Sequence, residues 1–324
     1  MQSPIRATAF VAVVALLLAA CTAGASPTPS SSAAASAATS ASASAQASDA
    51  ASAGPTEAAA SIDPESLLGR VVAAGTIRIS TDPNYKPFSF LDPATGEYEG
   101  FDTATAEAAV ERLNEKLGTN IEIQWETPGW DLITAGSWGG RWDVSVGSMS
   151  VTEGRARVVD FADPYYYDGG GIAVPANSTL TSLEELNGGK TFCVGTATTY
   201  EQWLSGTLEI VDPNMLEAPT DPQVTGLPTD NECIQAVAAG RTFDAIVANK
   251  NGLESAIDDG QPIKLLVDEP TFVVSVSFAL DKSGPDTASM LEVLNEIVAD
   301  MHADGTLSAL SEEWLDQDVS TKPT

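Results

Sequence analysis

A short run of small polar residues followed by an arginine is the part of this chain whose residue types suit a binding site. Gly147, Ser148 and Ser150 follow an apolar stretch, and Arg155 lies a few residues further on. Hydroxyl groups can donate and accept hydrogen bonds, glycine permits close backbone approach, and a guanidinium binds a carboxylate through two parallel charge-assisted hydrogen bonds. The pattern predicts a carboxylate receptor. The alternative is that Arg155 pairs with a surface acid.

Two local elements have to position these groups. Val144 and Val146 alternate with small residues, which is typical of a buried strand, and Gly147 ends the apolar pattern. Thr152 is a preferred N-cap residue, and it predicts a helical turn that carries Arg155. The strand would deliver the serines to a polar rim, and the turn would place the guanidinium beside them.

Composition limits the classes of protein to be considered. The 324 residues include 15 Lys and Arg against 45 Asp and Glu, for a net charge of −30, and 43% of the residues are hydrophobic. A chain of this length and composition can bury the cores of about two domains. Nucleic-acid binding and adsorption to anionic lipid both require a basic face, so the charge argues against both.

The N-terminal part of the sequence has the features of an export signal. Residues 1–20 combine a positive charge at Arg6 with an apolar segment, and Leu18 opens a Leu-Ala-Ala-Cys run that matches a bacterial lipoprotein cleavage site. Cys21 would then be lipidated and anchor the chain to the membrane. An ordinary signal peptide with an incidental cysteine is the alternative. The Ala, Ser, Thr and Pro-rich residues 21–62 predict a disordered tether.

The remaining cysteines, Cys193 and Cys233, form an even pair in an exported chain and predict a disulfide. Closing a loop of about 40 residues would contribute on the order of 4 kcal/mol in the loop-entropy model. Two buried thiols are the alternative. Two cysteines and one histidine cannot form a tetrahedral metal site, so neither a metal nor a cofactor is expected.

Four motifs occur in an order and with spacings that point to a known family. They are GTIRISTDPNYKPFSF from Gly75, GFDTATAEAAVERL from Gly100, GSMSVTEGR from Gly147 and VVDFADPYYY from Val158. Over roughly Pro64 to Asp316 the chain resembles the extracellular solute-binding proteins of family 3. These are the polar amino-acid receptors of ABC importers.

The resemblance implies an α/β architecture of two lobes joined by two crossover strands, with a ligand cleft between the lobes. The expected segments are 63–170 for the first part of lobe 1, 171–271 for lobe 2, and 272–324 for the return strand and terminal helices. Hinge closure would present a monomeric, ligand-bound form to a membrane permease.

The same resemblance implies which residues contact the ligand. Together with the residues chosen above, the expected set is Asp82, Tyr85, Phe88, Gly147, Ser148, Ser150, Arg155, Thr198, Thr199 and Asn249. Asp82 would face a ligand nitrogen unless it caps a turn before Pro83, and either Tyr85 or Phe88 would pack on the ligand. Thr198 or Thr199 would cap a helix whose N-terminus is a second carboxylate anchor.

Asn249 departs from the family pattern, which places an aspartate there opposite the ligand's α-ammonium. An amide cannot supply that ion pair. Either Asp82 takes over the cation, or the ligand carries a quaternary, acylated or weakly charged nitrogen that Tyr85 could hold by a cation–π contact.

The predicted function is that of an extracytoplasmic, lipid-anchored receptor for a polar amino acid or a related carboxylate-bearing solute. One alternative is a ligand-sensing module for a membrane sensor. Another is an enzyme resembling the exported cyclohexadienyl dehydratases, which would require a catalytic acid in the cleft, and the sequence marks none. A structural surface lipoprotein is the third.

Overall fold

The computed structural model describes residues 62–322. The predicted signal peptide, Cys21 and all of the predicted tether except Ile62 lie outside the described residues. Within 62–322, no helix has both the length and the apolar character needed to cross a membrane. The described residues form two α/β lobes, each built on its own mixed sheet.

Nine α-helices are present in the described part of the chain. They are α1 (Leu67–Ala74), α2 (Phe101–Leu117), α3 (Trp130–Thr134), α4 (Glu153–Ala156), α5 (Thr199–Leu204), α6 (Asp230–Ala238), α7 (Lys250–Asp258), α8 (Ala288–Ala303) and α9 (Thr306–Leu315). Several begin and end where the residue types predict. Ser66 caps α1 by accepting a hydrogen bond from the Gly69 N–H, and Gly75 ends the helix in the left-handed conformation.

The first sheet lies in lobe 1 and has the strand order β5-β1-β6-β14-β7. These strands are β1 (Thr76–Ser80), β5 (Glu122–Glu126), β6 (Val144–Ser145), β7 (Val159–Phe161) and β14 (Ala279–Asp281). A separate antiparallel ribbon consists of β2 (Asn84–Tyr85), β3 (Ser89–Leu91) and β4 (Tyr98–Glu99). Helices α1, α2, α8 and α9 pack together in this lobe, and their apolar faces share one core with β1 and β6.

The second sheet lies in lobe 2 and has the strand order β10-β9-β11-β8-β12. These strands are β8 (Tyr166–Pro175), β9 (Thr191–Gly195), β10 (Gln223–Leu227), β11 (Ala245–Asn249) and β12 (Ile263–Leu265). Alternate residues of its central strands enter two different cores, because side chains of a strand point to opposite faces. Phe192 and Val194 pack with α5 on one face, and Cys193 packs with α6 on the other.

A disulfide between Cys193 and Cys233 joins β9 to α6, with the two Cα atoms 5.6 Å apart. Both cysteines belong to the same buried core of lobe 2. The bridge therefore fixes the position of α6 against the sheet, and with it the residues at the start of that helix.

Two strands carry the chain between the lobes. β8 leaves lobe 1 at Tyr166, which belongs to the lobe 1 core, and continues into the second sheet. The return strand β13 (Val273–Val276) pairs with the first half of β8 in antiparallel fashion.

The return segment from Phe272 to Leu280 is not one continuous strand. The strand is interrupted at Ser277 and Phe278, and β14 begins only at Ala279. The interruption occurs where the pairing partner changes from β8 in the second sheet to β6 and β7 in the first. At that change the Ser277 hydroxyl donates to the Ala162 carbonyl, 2.5 Å away.

Candidate functional site

A narrow cleft of about 50 Å³ lies between the two lobes. Lobe 1 contributes Asp82, Tyr85, Trp130, Gly147, Ser148, Ser150 and Arg155 to its walls, and lobe 2 contributes Thr198, Thr199, Tyr200, Pro228, Thr229 and Asp230. Eight of the ten predicted ligand residues are therefore brought together here.

Arg155 is held by the local structure that its sequence predicts. Thr152 is the N-cap of α4, and its hydroxyl oxygen accepts a hydrogen bond from the Arg155 N–H, 3.2 Å away. The side chain is 5% exposed. One terminal guanidinium nitrogen donates to the Ser150 carbonyl and the other to the Ala197 carbonyl, each 3.0 Å away. Because Ala197 belongs to lobe 2, Arg155 links the two lobes across the cleft.

Trp130 covers the guanidinium of Arg155. Its ring centroid lies 5.1 Å from the Arg155 Cζ atom, a cation–π distance. The indole N–H donates to the Ala197 carbonyl, 3.2 Å away, so Trp130 and Arg155 share one acceptor in lobe 2. Ala197 has a φ of 61°, in the left-handed region that L-residues rarely occupy. These residues form what we call the arginine end of the cleft, together with Ser148 and Ser150.

The Arg155 side chain retains binding capacity toward the cleft. Its Nε atom is buried and has no hydrogen-bond partner among residues 62–322. Burial lowers the pKa of Arg155 to about 10, so the guanidinium remains charged at neutral pH. A buried cationic donor without an acceptor is costly, because such a group loses its hydration. A ligand carboxylate at this position would provide the acceptor.

Ser148 is oriented by a buried acid behind the cleft wall. Its hydroxyl donates to Asp102 Oδ2, 2.7 Å away, and the Tyr165 hydroxyl donates to Asp102 Oδ1, also 2.7 Å away. Burial raises the pKa of Asp102 to about 7, although these two hydrogen bonds stabilise the ionised carboxylate and act to lower the pKa. Asp102 therefore holds Ser148 in its left-handed conformation, with a φ of 54°.

The turn before α5 provides the facing wall of lobe 2. The Thr198 hydroxyl caps α5 by accepting from the Glu201 N–H, and it donates to the Gly195 carbonyl, 2.7 Å away. Thr198, not Thr199, is thus the cap. Thr199 is buried at the start of the helix and lines the cleft.

Two carboxylates, Asp82 and Asp230, form what we call the acidic end of the cleft. Asp82 follows β1 in lobe 1, and its Oδ1 accepts a hydrogen bond from the Asn84 N–H, 2.8 Å away. Burial raises the pKa of Asp82. This Asx turn is the alternative role that the sequence allowed for Asp82, yet the residue also lines the cleft.

Asp230 lies in the first turn of α6 and is not the N-cap of that helix. Thr229 is the N-cap of α6, and its hydroxyl accepts from the Glu232 N–H, which leaves Asp230 as the first helical residue. Asp230 is 6% exposed, and its Oδ1 accepts from the Gly195 N–H, 3.0 Å away. Burial raises the pKa of Asp230 to about 7, and the charges of Asp168 and Asp82 add to this.

Asn249, expected at the ligand nitrogen, does not line the cleft. It is 1% exposed, and both ends of its amide are engaged. Oδ1 caps α7 by accepting from the Gly252 N–H, and Nδ2 donates to Asp168 Oδ1, 2.6 Å away. Asp168 also accepts a hydrogen bond from the Tyr200 hydroxyl, 2.7 Å away. Asn249 and Asp168 therefore support Tyr200 from behind the wall.

Of the two aromatic residues proposed to pack on the ligand, only Tyr85 lines the cleft. Phe88 is 0% exposed and lies in the lobe 1 core, where its ring stacks between those of Tyr85 and Tyr166. Phe88 thus positions Tyr85, and its own ring does not reach the cleft.

Sequence reasoning missed five residues of the cleft: Trp130, Tyr200, Pro228, Thr229 and Asp230. Tyr200 directly follows Thr198 and Thr199, the two predicted cap residues, so its place in the first turn of α5 was a usable signal. Asp230 lies close to the cleft because β10 pairs with β9, and this pairing was not predicted. Among residues 62–322 no group of three or more His, Cys, Asp or Glu could hold a metal ion.

The arrangement can bind a small zwitterion. Its arginine end offers a cation and serine hydroxyls, its acidic end offers carboxylates, and the rings of Tyr85, Trp130 and Tyr200 form walls. Charge-assisted hydrogen bonds at both ends would fix the orientation of such a ligand.

Comparison with known proteins gives a consistent result. The family model of the bacterial extracellular solute-binding proteins, family 3, matches residues 77–317. The L-cystine-binding protein TcyJ of Escherichia coli (strain K12) is 28% identical over 258 residues, which are 79% of this chain and 88% of the relative. The histidine-binding periplasmic protein of the same strain is 28% identical over 251 residues, 75% of this chain and 88% of that protein.

Solved structures show the same fold. An ancestral amino acid-binding protein, AncCDT-1, described as a precursor of cyclohexadienyl dehydratase, is 28% identical with a TM-score of 0.65 and is matched over 100% of its length and 77% of this chain. An ancestral arginine-binding protein bound to arginine is 27% identical with a TM-score of 0.61, over 98% of its length and 74% of this chain.

Proposed function

The chain belongs to the bacterial extracellular solute-binding proteins of family 3, and we propose that it is the receptor of an ABC importer that binds a polar amino acid between its lobes. The observation that carries the proposal is the buried Arg155, which lines the cleft and whose guanidinium Nε atom has no partner among residues 62–322. Relatives of the chain bind cystine and histidine, and both ligands contain an α-carboxylate.

The proposed carboxylate site is the arginine end. Three of the five guanidinium N–H groups are not used by the Ser150 and Ala197 carbonyls, so a two-pronged contact to a carboxylate is available. Gly147, Ser150 and Thr199 line the same cleft. A carboxylate here would neutralise the guanidinium and strengthen the link from Arg155 to lobe 2.

The proposed nitrogen site is the acidic end, with Tyr85 as the adjacent aromatic wall. Asp82 takes part in it, as one of the two alternatives from the sequence requires. The other alternative, a quaternary or acylated nitrogen held by Tyr85, is less favoured because two carboxylates line the cleft. An acylated nitrogen carries no charge to balance them, and a quaternary nitrogen has no N–H group to donate to them.

The remaining parts of the chain fit a lipid-anchored receptor. We propose that residues 1–20 are a signal peptide, that Cys21 is lipidated, and that 21–62 are the tether. Segments 63–170 and 272–324 would form lobe 1, and 171–271 lobe 2, of a monomer that docks on a permease. A membrane sensor could use the same closed form, and a binding partner in the membrane would identify which of the two is correct.

Native mass spectrometry of the purified protein, followed by isothermal titration with the standard amino acids, tests the function. We expect at least one amino acid to bind with a one-to-one stoichiometry. If no amino acid binds and no small molecule is retained on purification, the receptor function is wrong.

A second function has one observation in its favour. Asp230 is a buried cleft carboxyl with a pKa of about 7, which is a property of catalytic acids, and a structural neighbour is a dehydratase precursor. Incubation with a cyclohexadienyl carboxylate would show absorbance of an aromatic product if the chain were such an enzyme. We expect no product, because the Asp230 side chain is adjacent to two other acids and suits the binding of a cation.

A further inference from the structure

The acidic end contains more negative charge than one ammonium group can neutralise. Asp82 and Asp230 line the cleft with Arg155 as the one basic residue among the described lining residues. Within residues 62–322 no Lys, Arg or His nitrogen lies within 4.0 Å of either carboxylate. With both acids ionised the lining has a net charge of −1. A simple zwitterion would leave that charge in place.

The two acids come from opposite lobes and approach each other across the cleft. Helix α6 meets the β2 strand beside them, where the Asn231 amide donates to the Asn84 carbonyl. The charge of Asp82 raises the pKa of Asp230, so the two carboxylates lie within electrostatic range of each other. Like charges at short range oppose closure. A cation bound between them would offset this cost.

An independent feature points to a ligand in the same cleft and fixes its direction. The Arg155 Nε is buried and unpartnered, in a side chain that is 5% exposed. The ligand's carboxylate therefore belongs at the arginine end, and its nitrogen atoms extend toward Asp230 and Asp82.

Asp230 is attached to the same turn of lobe 2 that binds Arg155. Its Oδ1 accepts from the Gly195 N–H, and the same turn continues to Ala197, whose carbonyl binds Arg155. A side chain at position 195 would be impossible beside it, since a Cβ there would lie 2.5 Å from Asp230 Oδ1. An α-ammonium is one carbon away from its carboxylate, so the acid attached to this turn is placed to receive it. Asn249 is engaged elsewhere.

We propose that the ligand is a dibasic amino acid, whose α-ammonium binds Asp230 and whose side-chain cation binds Asp82. The inference rests on the proposed function and specifies its substrate class. The charges then balance, with the carboxylate on Arg155 and one cation on each acid. The rings of Tyr85 and Tyr200 line the space between the ends and provide apolar surface for the methylene groups.

Isothermal titration with two matched ligand pairs tests this assignment. Arginine and citrulline differ in one charge at nearly equal size, and lysine and Nε-acetyl-lysine provide a second pair. At about pH 8.5, above the pKa of Asp230, we expect the charged member of each pair to bind at least about tenfold more tightly. Cystine, with two carboxylates, should bind more weakly than arginine.

Two variants separate the roles of the acids. Asp82→Asn should reduce the arginine-to-citrulline ratio to about threefold or less, whereas Asp230→Asn should weaken both ligands by at least about tenfold. Asp258→Asn, which removes one negative charge from an exposed position of lobe 2, is the control and should leave the ratio unchanged.

Each outcome decides between the claims. If the wild-type protein binds citrulline or glutamine as tightly as arginine, the dibasic assignment is overturned while the amino-acid receptor function stands. If Asp82→Asn leaves the arginine-to-citrulline affinity ratio unchanged, or if Asp230→Asn leaves the affinities for arginine and citrulline unchanged, the assignment of the two acids is wrong. If no α-amino acid binds at all, the proposed function itself fails.

Discussion

The arginine end of the cleft and its acidic end differ in the number of charges and in how the chain supplies them. The arginine end has one cation, and three of its five residues, Ser148, Ser150 and Arg155, come from one short segment of lobe 1. The acidic end has two anions, Asp82 from lobe 1 and Asp230 from lobe 2. The charge of the first end therefore lies in one lobe, whereas the charges of the second are divided between the two lobes.

This difference gives the two ends different parts in binding. Arg155 already holds both lobes through the Ser150 and Ala197 carbonyls, so closure and carboxylate binding reinforce each other there. At the acidic end, like charges would oppose closure unless a ligand cation lay between them. We therefore propose that the arginine end determines whether an amino acid binds and that the acidic end determines which one. The predictions below test this division in order of expected effect.

Replacing Arg155 with alanine should have the largest effect. The change removes the charged partner of the carboxylate and the contact to Ala197, so the affinity for any amino acid should fall by more than about 100-fold, or about 2.7 kcal/mol. Isothermal titration measures this loss, and circular dichroism verifies the fold.

Arg141→Ala is a matched control for that variant. Arg141 also lies over a tryptophan ring, that of Trp142, and also donates to a backbone carbonyl, that of Trp138, but it is exposed and outside the cleft. Its removal should leave affinity unchanged. An Arg155→Ala protein that binds within about threefold of wild type, about 0.65 kcal/mol, would refute the carboxylate assignment.

Removing the disulfide should loosen the acidic end through α6, because Cys233 lies three residues beyond Asp230 on that helix. The combined Cys193→Ala and Cys233→Ala change should lower the free energy of unfolding by about 3 to 4 kcal/mol, as expected for a loop of this length. Denaturant unfolding measures the loss. A reductant should destabilise the wild-type protein and leave the double variant unaffected. Free thiols in the non-reduced wild-type protein would contradict the bridge.

The acidic end and its supporting acids should make stability depend on pH. Burial raises the pKa of Asp102 and Asp230 to about 7 and that of Asp168 to about 6, all above the ordinary aspartate pKa of 3.8 that holds in an unfolded chain. The folded state then binds more protons than the unfolded state, so stability is greatest at low pH and falls as the pH rises through about 6 to 7. The melting temperature should thus rise by a few degrees between about pH 8 and pH 5.5.

Asp230→Asn isolates the contribution of the acidic end to this effect. The net charge of −30 also favours a higher melting temperature at low pH, in the wild-type protein and in the variant alike. The difference in melting-temperature rise between the two proteins therefore reports on Asp230, whose pKa the nearby charges of Asp168 and Asp82 raise. The melting temperature of the variant should rise less than that of the wild-type protein when the pH is lowered from about 8 to 5.5. An identical rise in both proteins would show that Asp230 is not perturbed.

Trp130→Phe should have the smallest effect, because it removes one hydrogen bond from the arginine end and leaves an aromatic ring beside Arg155. The indole contact to the Ala197 carbonyl would be lost, at a cost of about 1 kcal/mol or roughly fivefold in affinity. The loss should be similar for every amino acid. A loss confined to basic ligands would break the division between the two ends.

Three residues of the arginine end, Ser148, Ser150 and Arg155, could be predicted from the sequence because they lie close together in the chain. Strand, rim and capped turn follow one another, so spacing alone placed these three residues together. Trp130 and Ala197 come from distant segments and could not be placed in this way. The two-lobed fold was predicted because four motifs occur in the order of a known family.

The acidic end could not be predicted because it depends on pairings between distant segments. Asp230 reaches the cleft through the position of α6 beside β9, and no local pattern shows that Thr229 takes the cap. Asn249 has a suitable place in the chain, but Asp168 and the start of α7 engage its amide. Which hydrogen-bond partner such a side chain takes is decided by the tertiary structure.

The most direct test of the central claim compares the tightest-binding amino acid with its decarboxylated amine, in the wild-type protein and in Arg155→Ala, by isothermal titration. If Arg155 receives the carboxylate, the wild-type protein should bind the amino acid at least about 100-fold more tightly than the amine, and this preference should fall to a few-fold in the variant. Equal binding of the two ligands by the wild-type protein would contradict the account.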